Sequence, residues 1–268
     1  MTNILKTAVA QISCAVGDMA ANVRKLRDFS VRAEAAGAEL IVFPEMADTG
    51  YSMPAIQQHA SSWREGAVPA LREIAAQLGI AIISGVSERE ESLIYNTQIV
   101  INAAGEVVAK YRKTHLFTPA PTEEHKCFTG GDELAVVTMG PLRLGLSICY
   151  DLRFPELYRS LASDDGVNTF VISSAWPFPR VEHLRTLAMA RAIENQSYCV
   201  LANRVGTDNR TTFCGASAII DPYGTVIAAA SPDREELIYG DLSLGVLQAV
   251  RERMPVLSHR RPELYRSR

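Results

Sequence analysis

The chain has 268 residues, 47% of them hydrophobic, which is enough for one large α/β domain or two small ones. Its net charge of −3 argues against a nucleic-acid partner, which would need a basic surface. No apolar run approaches the roughly 20 residues that span a bilayer, so we expect no membrane attachment.

The five cysteines are odd in number and lack C-x-x-C spacing, which predicts free thiols in a reducing cytoplasm. The five histidines are scattered, and no two of them have the spacing of metal ligands on a helix. We therefore expect a cytoplasmic protein without a metal or other cofactor.

The first 113 residues alternate between strand and helix patterns. Strands are predicted at 5–12, 38–45 and 80–87, helices at 19–36 and 63–78, and a hairpin at 97–113 with its turn at 102–106. The run 38–45, "AELIVFPE", is continuously apolar over its middle, which is typical of a strand buried on both faces.

The second half continues in the same way after an irregular polar loop at 114–132. Strands are predicted at 134–139, 142–148, 168–174, 198–205 and 237–244, helices at 155–163 and 181–194, and a hairpin at 217–230. The basic, proline-containing tail from about 248 to 268 is predicted to be an extended arm.

The two halves of the chain are similar to each other. "AGAELIVFPEMA" (36–47) matches "DGVNTFVISSAW" (165–176), and "VINAAGEVVA" (100–109) matches "IIDPYGTVIA" (219–228). This similarity predicts a four-layer α-β-β-α sandwich, in which two mixed sheets pack face to face with helices outside. The alternative is that strand–turn–strand units look alike by chance.

Polar residues that could do chemistry lie at or just after predicted strand ends, where sites gather in α/β folds. They are Glu45, Lys113 and Cys149. Glu124 lies in the polar loop that follows Lys113. A carboxylate could take the thiol proton, and a lysine could stabilise negative charge on a substrate oxygen. Each also has a structural alternative: the cysteine could be inert packing, Glu45 a helix cap, and Lys113 and Glu124 solvated side chains.

Taken together, these residues lie in segments that resemble the nitrilase, or carbon-nitrogen hydrolase, superfamily over nearly the whole chain. The segments are "FPEMADTGY", "YRKTHLF", "EEHKCFTGG", "SICYDLRFPEL", "ARAIENQSYCVLANRVG" and "VRERMPVLSHRRPELY". The resemblance implies one domain over 1–268 and a cysteine amidase that cleaves a small linear amide to acid and ammonia through a thioester.

The resemblance also implies a role for each residue. Glu45 acts as general base, Cys149 attacks the amide carbon, and Lys113 holds the oxyanion together with a backbone N–H near Tyr150. The family's second glutamate fits Glu124 better than its neighbour Glu123. A homodimer, or a larger homo-oligomer, is implied as well.

The residues after the cysteine indicate the branch. "CYDLRFPE" looks like the same segment of the ω-amidases and of the deaminated glutathione amidases. "RRPELY" resembles the deaminated glutathione amidases, whereas "SSAWPFPRVEH" is more similar to the ω-amidases. The substrate therefore stays open. Arg153 either grips a substrate carboxylate or pairs with Asp151 or Glu156. Tyr51, Tyr150 and Trp176 are the other candidates for substrate binding.

Other functions remain open at this point. A broad aliphatic amidase or an N-carbamoyl amidohydrolase would share the fold, and a catalytically silent scaffold would keep the fold without the chemistry. A Cys–His protease would need a histidine partner for Cys149, and His183 is the candidate.

Overall fold

A computed structural model describes residues 3–208 and 211–265. The strands, in chain order, are β1 (Ile4–Gln11), β2 (Leu40–Val42), β3 (Ala81–Glu90), β4 (Leu93–Ile101), β5 (Val107–Arg112), β6 (Val136–Met139), β7 (Leu142–Ile148), β8 (Thr169–Ser174), β9 (Tyr198–Asn203), β10 (Val205–Asp208), β11 (Thr211–Cys214), β12 (Ala218–Ile220), β13 (Val226–Ala229) and β14 (Glu236–Ser243). The α-helices are α1 (Met19–Ala35), α2 (Met53–His59), α3 (Ala67–Leu78), α4 (Pro155–Ser163), α5 (Val181–Asn195), α6 (Leu244–Arg253) and α7 (Pro262–Tyr265).

Twelve of these strands form two six-stranded sheets, and β10 and β11 form a separate ribbon. The first sheet has the order β14-β1-β2-β3-β4-β5, and the second has the order β6-β7-β8-β9-β12-β13. In both sheets three consecutive parallel strands are flanked by one antiparallel strand on one side and two on the other. This shared order supports the internal duplication seen in the sequence.

The two sheets pack on each other through one apolar core. Val9, Val42 and Ile83 of the first sheet belong to the same buried cluster as Leu146 and Val171 of the second. The central parallel strands β2 and β8 are buried along their whole length. The sequence of β2 is accordingly apolar throughout, whereas β8 combines an apolar centre with buried hydroxyl residues at both ends.

Helices cover the outer faces of both sheets. Leu26 of α1 and Leu71 of α3 pack against Ile41 and Ile82, which point away from the other sheet. Leu184 and Ala188 of α5 pack on the second sheet. The predicted α-β-β-α sandwich is therefore confirmed.

The sequence did not predict α2 or the β10–β11 ribbon, and two further parts of the chain differ from the prediction. The strand β3 continues to Glu90 and turns directly into β4, because the charged Glu88 is buried in a cluster of cations instead of lying in a loop.

The extended arm predicted from about 248 is wrong up to residue 253, which belongs to α6. The Ser243 hydroxyl caps this helix, and Leu247 and Val250 anchor it.

Candidate active site

Glu45 lies just after β2, buried between the two sheets and fully enclosed. Its Oε1 accepts hydrogen bonds from Asn96 Nδ2 at 2.6 Å and Lys113 Nζ at 2.9 Å. Its Oε2 accepts one from the Ala175 backbone N–H at 2.8 Å, at the end of β8. A Cβ on the neighbouring Gly85 would lie 2.5 Å from the Glu45 Cα, so only glycine lets the backbone carrying Glu45 approach β3 this closely.

Lys113 follows β5, and its backbone N–H donates to the Asn96 carbonyl at 2.8 Å. Its ammonium bridges two carboxylates: Nζ is 2.9 Å from Glu45 Oε1 and 2.8 Å from Glu124 Oε1, and all three side chains are fully buried. An ammonium has three N–H donors, so one remains for a substrate.

Glu124 is held by donors on both oxygens. Oε1 accepts from Tyr51 Oη at 2.6 Å and from Lys113, and Oε2 accepts from the Phe117 backbone N–H at 2.6 Å. Glu123, by contrast, is paired with the surface residue Lys126 at 2.7 Å. Of the two glutamates that the sequence offers, the structure therefore brings Glu124 to Lys113.

Cys149 is the first residue of a short 3₁₀ turn that follows β7. Its φ of +46° lies in the left-handed region, which is unusual for a residue other than glycine and marks a strained position at the strand end. The Ser174 hydroxyl has no hydrogen-bond partner among the described residues, and it lies close enough to the thiol to lower the pKa of Cys149. Only 8% of the residue is exposed, and the exposed part faces a cavity.

The charges around the sulfur set its resting state. Burial raises the pKa of Cys149 well above its ordinary value, the Glu45 carboxylate raises it further, and Lys113 opposes both. Burial also raises the pKa of Glu45, with Lys113 opposing. Burial disfavours the charged form of Lys113, but the two carboxylates raise its pKa well above its ordinary value. The site therefore holds a charged lysine and a neutral thiol.

The cavity next to Cys149 has a volume of about 340 Å³ and is walled mainly by aromatic and other apolar side chains. The four residues predicted to bind substrate all line it: Tyr51, Tyr150, Arg153 and Trp176. The Tyr51 hydroxyl, however, is bound to Glu124, so this residue also supports the lysine.

Arg153 does not make the ion pairs that were considered for it. Its guanidinium lies over the Trp176 ring, 4.7 Å from the centroid, and 3.3 Å from His183 Nδ1. Asp151 is bound elsewhere, to Tyr111 and to residues near Lys113. Within residues 3–208 and 211–265, no carboxylate oxygen lies within 4 Å of the Arg153 nitrogens.

His183 is not placed as the partner of the nucleophile. It does not line the cavity, it contacts Arg153, and the charges that act on the Cys149 thiol come from Glu45, Lys113 and Glu124. The arrangement therefore gives no support to a Cys–His protease.

Sequence reasoning missed several groups that touch these residues. Asn96 lies inside a hairpin strand and carries no local signal. Ser174 and the Ala175 amide could have been found, because the internal repeat aligns Ser174 with Glu45. Arg180 also lines the cavity, and it lies in the turn directly before α5.

In the described part of the chain, no three His, Cys, Asp or Glu side chains are grouped so that they could hold a metal ion. None of the helices described there combines the length and apolar character that crossing a bilayer requires.

Comparison with known proteins gives the family. The sequence model for carbon-nitrogen hydrolases matches residues 6–252. A 2-oxoglutaramate amidase of Bacillus subtilis is 33% identical, with 95% of this chain and 97% of that protein covered. A deaminated glutathione amidase of Dictyostelium discoideum is 34% identical, with 75% of this chain and 73% of that protein covered. The crystal structure of XC1258 from Xanthomonas campestris, a CN-hydrolase superfamily protein with an arsenic adduct in its active site, superposes with a TM-score of 0.89 at 29% identity, covering 97% of this chain and 98% of that one. The resemblance seen in the sequence is thus confirmed, and the chain belongs to the carbon-nitrogen hydrolase family, whose members are hydrolases of carbon-nitrogen bonds other than peptide bonds.

Proposed function

We propose that this hydrolase is a cysteine-dependent ω-amidase, which cleaves the terminal amide of a small carboxylic acid to a dicarboxylic acid and ammonia. The observation that carries the proposal is the buried Glu45–Lys113–Glu124 group beside a neutral Cys149, at the wall of a cavity that presents an arginine with no carboxylate partner among the described residues.

The neutral thiol decides the first step. Because burial and Glu45 hold the pKa of Cys149 high, a preformed thiolate is not available at neutral pH. Glu45, whose own pKa is raised by burial, takes the thiol proton as the sulfur attacks the amide carbon. The third N–H of Lys113 and the backbone N–H of Tyr150 stabilise the oxyanion that forms.

The remaining steps use the same groups. Glu45 returns its proton to the amide nitrogen, the carbon-nitrogen bond breaks, and ammonia leaves a thioester on Cys149. Glu45 then takes a proton from water, the water oxygen attacks the thioester carbon, and the acid leaves as the sulfur regains the proton. Glu124 keeps Lys113 charged and in place throughout.

Arg153 supports the choice of an acid-bearing amide. A guanidinium in an apolar cavity, stacked on Trp176 and lacking a carboxylate partner among the described residues, is suited to bind a substrate carboxylate with two parallel hydrogen bonds. Broad aliphatic amides offer no such group.

A matched pair of substrates tests the proposal. Succinamate and butyramide have the same length and differ only in a carboxylate in place of a methyl group. We expect kcat/KM for ammonia release to be about 100-fold higher for succinamate, an advantage that the Arg153→Met variant loses. The Cys149→Ala variant is expected to release no ammonia from either. Turnover that survives Cys149→Ala, or equal turnover of the two amides, would refute the proposal.

The size of the cavity and a second arginine favour one other candidate substrate. Arg180 lines the same cavity, 5.8 Å from the Phe117 ring centroid, and pairs with no acid in the described residues. A cavity of about 340 Å³ leaves room beyond a four-carbon amide. Deaminated glutathione, a peptide with a carboxylate at each end, would use both arginines. We expect Arg180→Met to raise KM for this substrate alone if it is cleaved.

We also propose that the protein forms a homodimer through α5, the β12–β13 hairpin and the adjoining strand β14. Ile193, Val226, Ile227 and Tyr239 are large apolar residues with 41–49% of their surface exposed. A Cβ on Gly224 would meet the Ile193 side chain at 2.5 Å, which places the hairpin turn against α5. Sedimentation equilibrium should show a dimer that Ile193→Asp weakens; a monomeric native protein at micromolar concentration would rule the interface out.

A further inference from the structure

The buried Asp151 carboxylate connects the nucleophile to the lysine, although it touches neither. Asp151 is fully buried two residues after Cys149. Its Oδ2 accepts the Ile148 backbone N–H at 2.9 Å, which closes the turn that carries Cys149 at its strained φ. The carboxylate thereby fixes the position of the nucleophile within its own segment.

The same carboxylate holds the segment that carries Lys113. Tyr111 Oη donates to Oδ2 at 2.8 Å, and the His115 backbone N–H donates to Oδ1 at 3.1 Å. His115 Nδ1 lies 2.8 Å and Thr114 Oγ1 3.3 Å from Oδ1. These donors lie on both sides of Lys113, so they fix the backbone where the lysine leaves β5.

Cys149 and Lys113 have no such connection through backbone pairing. Lys113 follows β5 at the edge of the first sheet, whereas Cys149 follows β7 in the second sheet. In the described part of the chain no ladder of hydrogen bonds joins the two sheets. The polar contacts between them, such as Ala175 N–H to Glu45 and Gln98 to Ser173, do not involve the turn of Cys149 or the backbone at Lys113, so they leave these two segments free to shift slightly. A buried carboxylate that accepts directional hydrogen bonds from both segments removes this freedom.

A second anchor holds the other end of the turn. Arg191 of α5 is buried and donates through Nε at 3.2 Å and Nη2 at 2.9 Å to the Leu152 carbonyl. The turn is therefore fixed to the helix layer on one side and, through Asp151, to the first sheet on the other.

We propose that Asp151 is a positioning residue that sets the distance between Cys149 and Lys113. Asp151 acts on the segment that carries Lys113 through its hydrogen bond with the Tyr111 hydroxyl. This inference rests on the proposed function only for the roles of the two residues that it positions.

Two tyrosines of the chain provide a matched test. Tyr111 and Tyr158 are both buried, and each donates or shares a hydrogen bond of 2.8 Å through its hydroxyl. Tyr158 contacts Ser147 Oγ, close to the nucleophile but without a connection to Lys113. Tyr111→Phe and Tyr158→Phe each remove one buried hydroxyl. The Tyr111 hydroxyl also accepts the Thr114 backbone N–H at 3.2 Å and lies 2.9 Å from Thr114 Oγ1, so we expect the larger fall in melting temperature for Tyr111→Phe.

The two variants should differ in catalysis. For succinamate hydrolysis we expect Tyr111→Phe to lower kcat about tenfold with KM within twofold of the native value, and Tyr158→Phe to leave kcat within twofold. Asp151→Asn, which keeps the shape but offers only one acceptor oxygen, should lower kcat more than Tyr111→Phe. Equal kcat values for the two tyrosine variants would overturn the proposal, whatever their stability.

A second readout separates this inference from the proposed function. The rate at which iodoacetamide alkylates Cys149, followed by peptide mass spectrometry, depends on the nearby ammonium but not on the identity of the natural amide. Tyr111→Phe should slow this alkylation severalfold relative to Tyr158→Phe. If the native protein hydrolyses none of the amides but this difference is present, the proposed function fails and the positioning role stands; if the difference is absent, the positioning role fails.

Discussion

Replacing Lys113 by methionine should destabilise the protein in a manner that depends on pH. The ammonium is within 2.9 Å of one oxygen of Glu45 and of one oxygen of Glu124, so these oxygens are at most about 6 Å apart. At an effective dielectric constant of about 20, two carboxylates at that distance repel each other by about 3 kcal/mol. Methionine fills the space of the lysine stem but leaves this repulsion uncompensated in a buried site.

We therefore expect Lys113→Met to lower the free energy of unfolding by about 3–5 kcal/mol at pH 8, the range found when one partner of a buried ion pair is removed. The pKa of Glu45 is already raised by burial, and it rises further once the ammonium is gone. A carboxyl whose pKa is higher in the folded than in the unfolded state contributes stability at low pH and loses it as the pH rises through the folded pKa. The difference in unfolding free energy between the native protein and Lys113→Met should thus shrink as the pH falls from 8 to 6, by up to about 1.4 kcal/mol per pH unit.

Urea denaturation at fixed protein concentration, at pH 8, 7 and 6, measures this effect. Lys110→Met is the matched control, because Lys110 lies on β5, the strand directly before Lys113, and pairs with Glu88 at 3.1 Å, but 41% of its side chain is exposed. Its loss should be at most about 1 kcal/mol and independent of pH in this range. A deficit for Lys113→Met below 1 kcal/mol, or one that stays constant between pH 8 and 6, would refute the charge assignment.

Three further variants test neighbouring features. Gly85→Ala places a Cβ 2.5 Å from the Glu45 Cα, so steady-state kinetics should show kcat reduced by at least about 100-fold; a native kcat would contradict the close approach. Tyr51→Phe removes one of the donors to Glu124 and should reduce kcat about tenfold, with thermal melting as the check that the fold persists. Burial alone would raise the pKa of Glu88, but the cations and hydroxyl bound to it lower the pKa to about 2. Glu88→Gln should therefore cost about 2 kcal/mol above pH 5, and this difference from the native protein should fade as the pH falls from 4.5 toward 2; a difference that persists at pH 2 would argue against an ionised Glu88.

The positions of Glu45, Lys113 and Cys149 at strand ends make them candidates, whereas the resemblance to the family assigns their roles and selects Glu124 in the loop. The sequence could not supply Asn96 or the Phe117 N–H, because Asn96 reaches Glu45 through the pairing of strands in the first sheet and the Phe117 N–H reaches Glu124 through the fold of one loop, and neither contact leaves a local pattern. The tail illustrates another limit: Leu247 and Val250 have helical spacing, but the charged residues around them and Pro255 favour an irregular segment. Glu88 shows the same limit, since its burial depends on cations contributed by a different strand.

The buried, neutral thiol of Cys149 has a consequence for how the protein withstands oxidants. Peroxides and disulfides react with thiolates, and the fraction of thiolate falls tenfold for each unit by which the pKa exceeds the surrounding pH. In the proposed mechanism Glu45 accepts the proton only as a carbonyl carbon is attacked, so we expect Cys149 to react with an amide placed in the cavity and to react slowly with other solutes. We therefore expect the proposed nucleophile to resist sulfenylation and glutathionylation, which are common modifications of cysteines with a low pKa.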